Sequence, residues 1–326
     1  MKQVNHLLLM PPNWIGDVIM AQPAMRAICL HYQQLNPDIR ISVCGRSWLS
    51  ELLPWLNLPL ANFTASPIKA DIAFLLPNSF RSAWQCRLAG VGQLIGYRGQ
   101  WRRLLLSNPL PHRISLKHQH HRDSYLDIAS QLSIATEQRH VQLQAPENAL
   151  QRGKQIMISH DLDPERVITM APGAQFGAAK CYPQESFRNV CQALAAKGWQ
   201  PLILGMPADH QTGEAMVAEL SLPHWNGAGK TTLAQALQLI AASRLMLCND
   251  SGLMHVAAGL GIPTVAPFGA TDPKRTAPSG NAVTIVYKPA DCSPCLQREC
   301  STVGHPCMNN ITPQMLTDAC LSLLSS

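Results

Sequence analysis

Short apolar runs alternate with helix-length stretches of periodic apolar residues from one end of the chain to the other. That alternation restricts the fold to βαβ units and a parallel sheet, because parallel strands need a crossover long enough to hold a helix. It occurs twice. In the first half His6–Met10, Ile39–Cys44 and Asp71–Leu76 read as strands, with Val18–Leu35 and Trp48–Leu56 as helices. In the second half Val167–Ala171, Gln200–Leu204, Leu245–Asn249 and Thr264–Phe268 read as strands, separated by helices near Ser186–Lys197, Asp209–Leu220 and Leu233–Ala242. A chain of 326 residues exceeds one ordinary core. The prediction is therefore an α/β protein of two Rossmann-like domains, 1–152 and 153–326, facing each other across a cleft, with ligands at the carboxyl ends of the strands. The polar segment Glu147–Asp163, with its Leu162-Asp163-Pro164 turn signal, is the predicted linker. Thr312–Leu324 reads as a closing helix capped by Thr312 with Pro313 at its first position, one that could pack back on the N-terminal domain.

The net charge of +6 is uneven: residues 1–152 hold 15 Lys and Arg against 8 Asp and Glu, residues 153–326 hold 11 against 12. No carboxylate occurs between Asp71 and Asp123. That interval carries Arg81, Arg87, Arg98, Arg102, Arg103, Arg113, Lys117 and Arg122, with His112, His118, His120 and His121. A solvated face normally mixes both signs, so the interval predicts an anionic partner: phosphates, sugar acids or an anionic lipid surface. No nucleic-acid module or aromatic RNP pattern accompanies the charge, which argues against nucleic acid. The apolar run within Met1–Met10 is too short for a signal segment or a bilayer span, and no later stretch is long enough. Most of the eleven cysteines are scattered singly through segments that read as helix or strand, the pattern of reduced thiols rather than of a disulfide framework.

Three loops carry candidate chemistry. Pro11-Pro12-Asn13-Trp14-Ile15-Gly16-Asp17 follows the first strand and opens the first long helix. There Gly16 permits close backbone approach, and Asp17 at a helix N-terminus stays ionised and ready to accept a proton; a plain N-cap is the other reading. Ala171 through Lys180 is a small-residue loop ending in a cation, suited to a diphosphate or else an ordinary loop with an exposed lysine. In Asn249-Asp250-Ser251-Gly252-Leu253-Met254-His255 a buried strand stops and a small-residue helix begins. Ser251 and Gly252 offer N–H groups to an anion, Asp250 can bond sugar hydroxyls, and His255 lies one turn further on the same face.

Two other patterns are weaker. Gly227-Ala228-Gly229-Lys230-Thr231-Thr232 looks like the tail of a P-loop, but His224 occupies the position of its first glycine. Cys292-x2-Cys295-x4-Cys300-x6-Cys307, with His305 between, offers soft ligands without the paired spacing of common zinc modules.

Taken together, Asn13–Asp17, Leu76-Pro77-Asn78-Ser79-Phe80, Gly96-Tyr97-Arg98-Gly99, Pro172-Gly173-Ala174 through Lys180, and Asn249–His255 resemble the ADP-heptose:lipopolysaccharide heptosyltransferase family, in the family's order and over nearly the whole chain. The Pro-Asn-Ser-Phe and Asn-Asp-Ser-Gly-Leu-Met-His segments resemble heptosyltransferase II more than I. The resemblance implies the GT-B fold and inverting transfer of L-glycero-D-manno-heptose from ADP-heptose to the heptosyl-Kdo-lipid A inner core of lipopolysaccharide. It also implies a cytoplasmic protein peripheral to the inner membrane, with no metal or other cofactor demanded. Transfer to another core sugar, or a silent sugar-nucleotide-binding protein, are the competing expectations.

By position, the resemblance makes Asp17 the general base and Lys180 the diphosphate-binding lysine. Gly173, Ala174, Asp250, Ser251, Gly252, Leu253 and His255 fall on the sugar-nucleotide side, with Asp209 a weaker candidate. Asn13, Trp14, Gly16, Asn78, Ser79, Arg98, Arg102 and Arg103 fall on the acceptor side. Cys181-Tyr182-Pro183 departs from the family's Arg-Trp-Pro, beside Lys180.

Overall fold

The computed structural model describes residues 3–115 and 118–325, so Lys117 of the basic interval lies outside the described residues. Contacts divide the chain into two compact units, Met1–Gln144 and Ala145–Ser326. In the first, β1 (His6–Met10), β2 (Arg40–Cys44), β3 (Ala61–Thr64), β4 (Ile72–Leu75), β5 (Gln93–Tyr97) and β6 (Asn108–Leu110) form one sheet in the order β3-β2-β1-β4-β5-β6. Every pairing is parallel. β1 is buried at all five residues, as a strand covered on both faces must be. β3 and β6 lacked an apolar run because they are edge strands; Pro109 is tolerated in β6, where one side of the strand has no ladder to feed. The helices of this unit are α1 (Ile15–Leu35), the single turn α2 (Leu49–Leu52), α3 (Phe80–Leu88) and α4 (His121–Ser130). α4 packs on α1.

The second unit repeats the plan. β7 (Val167–Ala171), β8 (Gln200–Ile203), β9 (Trp225–Asn226), β10 (Leu245–Cys248), β11 (Thr264–Phe268) and β12 (Val283–Tyr287) run in the order β12-β11-β10-β7-β8-β9, again all parallel. Its helices begin with α5 (Ala149–Ile158), α6 (Gln184–Ala195), α7 (His210–Val217), α8 (Leu233–Ala242) and α9 (Gly252–Gly259). The short α10 (Pro273–Thr276) and α11 (Pro306–Asn309) precede the closing α12 (Pro313–Leu324).

One expectation changes. The predicted linker 147–163 is occupied by α5, a polar-looking helix that packs tightly on α8. The approach is so close at Gly153 that the backbone oxygen of Gln238 stands where a Cβ would be. Within the second unit the closing helix α12 lies on α6, and Leu316 and Cys320 share a core with Phe187 and Val190. Thr312 does cap it, accepting from the Met315 amide at 3.3 Å. The P-loop look-alike is likewise a helix cap, since Thr232 and Gln235 bond each other's backbone amides at the start of α8.

Gly153→Ala should lower stability by about 1–3 kcal/mol, the scale of overpacking against an unyielding backbone. A urea unfolding midpoint measures it. A linker glycine would show no such loss.

Candidate active site

In the second unit the strand order reverses between β7 and β10, which pair from Ile168–Leu245 to Ala171–Cys248. The carboxyl ends at such a reversal are where ligands bind in open parallel sheets. Asn249, fully buried, ties the two loops together: its Nδ2 donates to Pro172 O at 2.5 Å and its Oδ1 accepts from the Tyr182 amide at 3.0 Å. Tyr182, from the triplet that departs from the family, is itself an anchor, donating to Ile311 O at 2.7 Å.

Beside this tie lies the centre of the site. Lys180 Nζ donates to Asp250 Oδ2 at 2.6 Å, with side chains only 12% and 4% exposed. Thr271 Oγ1 donates to the same oxygen at 2.6 Å. The ammonium also stands 4.8 Å from the centre of the Phe176 ring, a cation–π contact. An ammonium has three N–H groups, so holding Asp250 leaves it able to meet an incoming anion. From behind, the segment before α11 braces the loop: Ala179 N donates to Arg298 O at 2.9 Å, and the His305 ring lies 3.0 Å from Ala179 O. Gly177, at φ 156°, sits against Arg298 O with no room for a Cβ.

The predicted residues converge on this edge. Asp209 lies against Gly173 and Gly205, where a Cβ on Gly205 would fall 2.7 Å from its carboxylate oxygen, and it accepts from the Met206 amide at 2.7 Å. α9 begins with Ser251 as its N-cap; the Ser251 hydroxyl is buried and makes no hydrogen bond among the described residues. His255 is buried one turn further on. Asp250 does more than the sequence suggested: both bonds fall on its Oδ2, where the carboxylate holds Lys180 and Thr271.

In the first unit the reversal lies between β1 and β4. Asn13, Trp14, Gly16 and Asp17 follow β1, Asn78 and Ser79 follow β4, and Arg98 follows β5, so the residues expected to meet an acceptor share one carboxyl edge. Asp17 is not the N-cap, which is Trp14; it sits in the first turn of α1, where the helix dipole favours a carboxylate. Burial and the neighbouring Asp17 charge push the Tyr125 phenol well up.

Arg102 corrects the sequence reading. Expected at the surface with Arg98 and Arg103, it is fully buried. Its guanidinium donates to Tyr97 O at 2.8 Å, to Asn78 Oδ1 at 3.1 Å and to Pro77 O. Burial lowers its pKa to about 10, which leaves it charged at neutral pH. It therefore shapes the Pro77–Ser79 loop and does not meet solvent. Arg87 also turns inward, to Leu105 O at 2.8 Å, and Arg122 pairs with Asp123 at 3.4 Å. Among the described arginines of the interval, Arg81, Arg98, Arg103 and Arg113 are exposed. Among the described residues no three His, Cys, Asp or Glu side chains converge as metal ligands, the cysteine segment included. Thr271 and Arg298 escaped the sequence reading because each acts by contact across the fold, with no local spacing to mark it, while His305, read there beside the cysteines, instead braces the Lys180 loop.

Residues 68–305 match the family model described as glycosyltransferase family 9 (heptosyltransferase). The chain belongs to this family. Among its relatives, lipopolysaccharide heptosyltransferase 2 of Salmonella typhimurium is 30% identical over 351 residues, covering 98% of each chain. The structure of E. coli ADP-heptose lps heptosyltransferase II superposes with a TM-score of 0.79 at 28% identity, over 98% of both chains. An E. coli heptosyltransferase with ADP shares the fold, with a TM-score of 0.72 at 14% identity over 98% of this chain and 99% of that one. The expected GT-B fold is thus borne out, and the chain is a glycosyltransferase of the heptosyltransferase family.

Asp250→Asn alone should cost about 3–5 kcal/mol, because it strands the buried Lys180 ammonium. Adding Lys180→Met should restore much of that loss, a coupling that urea midpoints of the four forms would measure. Arg102→Ala should cost about 3 kcal/mol by orphaning buried carbonyls, whereas Arg98→Ala and Arg103→Ala should each stay within about 0.5 kcal/mol of the parent in thermal melts.

Proposed function

We propose that the chain moves heptose from ADP-heptose to the heptosyl-Kdo-lipid A inner core of lipopolysaccharide, with inversion at the anomeric carbon. The observation that carries the reading is the Lys180–Asp250–Thr271 constellation at the β7/β10 reversal, beside the N-terminus of α9. A dinucleotide fold binds diphosphates at such a place, and here a positioned cation waits on the edge. Relatives over nearly the full length bear the name lipopolysaccharide heptosyltransferase 2, which supports this choice of substrates.

In this reading the Asp17 carboxylate takes the proton of the acceptor hydroxyl as its oxygen bonds to the anomeric carbon of the heptose. The bond from that carbon to the diphosphate oxygen breaks, and ADP leaves with the electron pair. Lys180 and the amides of Ser251 and Gly252 meet the negative charge that grows on the departing diphosphate, so they act more strongly in the transition state than on the bound sugar nucleotide. Gly173, Ala174, Leu253 and His255 shape the same sugar-nucleotide site, and Asp209 keeps the Gly173 and Gly205 turns together. Asn13, Trp14, Gly16, Asn78, Ser79, Arg98 and Arg103 receive the anionic acceptor, with Arg102 setting the Asn78 side chain from below. No described helix is long and apolar enough to cross a membrane. We place the protein in the cytoplasm, held peripherally at the inner membrane where its lipid-linked acceptor lies.

Mass spectrometry after incubation with ADP-heptose and a series of truncated lipopolysaccharides tests the assignment. One heptose should be added to the acceptor bearing a single heptose. Addition to a different core sugar would redirect the specificity, and no addition to any would leave a sugar-nucleotide-binding protein. Asp17→Asn should keep ADP affinity and the thermal midpoint while turnover falls about 10²–10⁴-fold, the usual scale for losing a general base. Turnover close to that of the parent would reduce Asp17 to a helix-dipole partner.

A further inference from the structure

Helix α3 turns its apolar side outward. Ser82, Ala83 and Cys86 are buried, while Phe80, Trp84 and Leu88, spaced at i, i+4 and i+8 on one stripe, are exposed. The rings of Phe80 and Trp84 stack at 6.3 Å. Next to this helix is the turn 99–104, where Trp101 is 93% and Leu104 94% exposed. Gln100 and Trp101 both adopt left-handed backbone conformations, φ 48° and 62°, which a bulky ring seldom takes up. The turn thus holds an indole in water against both its solvation and its backbone preference.

Two arginines make helix and turn one body. Arg102, in the turn, bonds Pro77 O and Asn78 Oδ1 at the head of α3. Arg87, in the last turn of α3, bonds Leu105 O at 2.8 Å and Ser107 Oγ at 2.9 Å on the far side of the turn. The outward apolar groups therefore sit on two neighbouring elements that are held together. Exposed Arg81, Arg98 and Arg103 accompany them, and no carboxylate occurs anywhere between Asp71 and Asp123.

We propose that this face docks the first unit on an anionic bilayer surface, with the aromatic and leucine side chains entering the headgroup zone and the arginines meeting lipid phosphates. Indoles settle at that depth because they are apolar with one polar N–H, and basic side chains beside them add attraction to anionic lipid. A second copy of the chain is a poorer occupant, since a symmetric contact would set the same arginines against one another. The inference deepens the peripheral location given above and rests on that reading only for which membrane the face meets.

The test uses the full chain and a variant carrying Trp84→Ser, Leu88→Ser, Trp101→Ser and Leu104→Ser, none of which lies among the site residues. Both are sedimented with vesicles of phosphatidylcholine and with equal mixtures of phosphatidylcholine and phosphatidylglycerol. The parent should partition onto the mixed vesicles and less onto phosphatidylcholine alone, more weakly as salt rises, and the variant should bind about tenfold less or worse. Lipids brominated near the headgroup should quench parent tryptophan emission, and Trp101→Ser alone should remove much of that quenching. Unchanged melting curves show that the variant is folded. Equal vesicle binding by parent and variant would overturn the proposal, as would a parent dimer in sedimentation velocity that the variant abolishes. Transfer from ADP-heptose to a delipidated, water-soluble acceptor should be the same in both. If neither transfers, the functional reading fails while the vesicle result still judges this face.

Discussion

Both halves depend on one backbone constraint, the parallel pairing of a unit's first strand with its fourth. β1 pairs with β4 and β7 with β10, each first strand also pairing on its other side with the second. Parallel pairing obliges every crossover to return over the sheet, so all strands end at the same edge, and reversing the order at the first strand parts the loops there. Asp17 follows β1, Asn78 and Ser79 follow β4, Lys180 ends the loop after β7, and Asp250 follows β10. The chemistry of each unit is thus gathered by strand order, from residues up to 70 positions apart in the case of Lys180 and Asp250.

Charge burial gives these edges their detail. A lysine withdrawn from water needs a counter-charge and satisfied donors, and Asp250 with Thr271 supplies that setting. Holding the ammonium in advance spares the reorganisation that a mobile surface lysine would undergo on meeting a diphosphate. Arg102 is the contrasting case, a buried guanidinium whose bonds are to carbonyls and an amide oxygen. Its planar fork can hold several acceptors at fixed angles, so it sets a loop where Lys would not. Both residues convert a flexible loop into a defined surface at the carboxyl edge.

The same inward turn explains why the first unit's surface is sparser in exposed charge than its composition implied. Arg102 leaves the surface and a half-buried Arg87 lies down on it, and together they bolt α3 to the turn that follows β5. Trp101 and Leu104, on that turn, face outward where Arg102 faces in. The surface that remains mixes aromatic rings with the few arginines still facing water.

Alternating apolar runs, the glycine-rich loops after strands and the Asn-Asp-Ser-Gly-Leu-Met-His segment were enough to read two parallel α/β units, the carboxyl-edge location and most of the candidate site, because each is a local pattern of residue types. Edge strands such as β3 and β9, the helix hidden in the supposed linker, and the partners Thr271 and Arg298 carried no such pattern. α5 reads as polar because only Ala149, Gly153 and Met157 are buried, one residue per turn, and the contact with α8 turns on the missing side chain of Gly153. Charge counts along the chain could say that an acid-free interval existed, but not which arginines faced out. That was decided by tertiary structure alone, since whether a guanidinium meets water or buried carbonyls depends on which loops the fold brings within its reach.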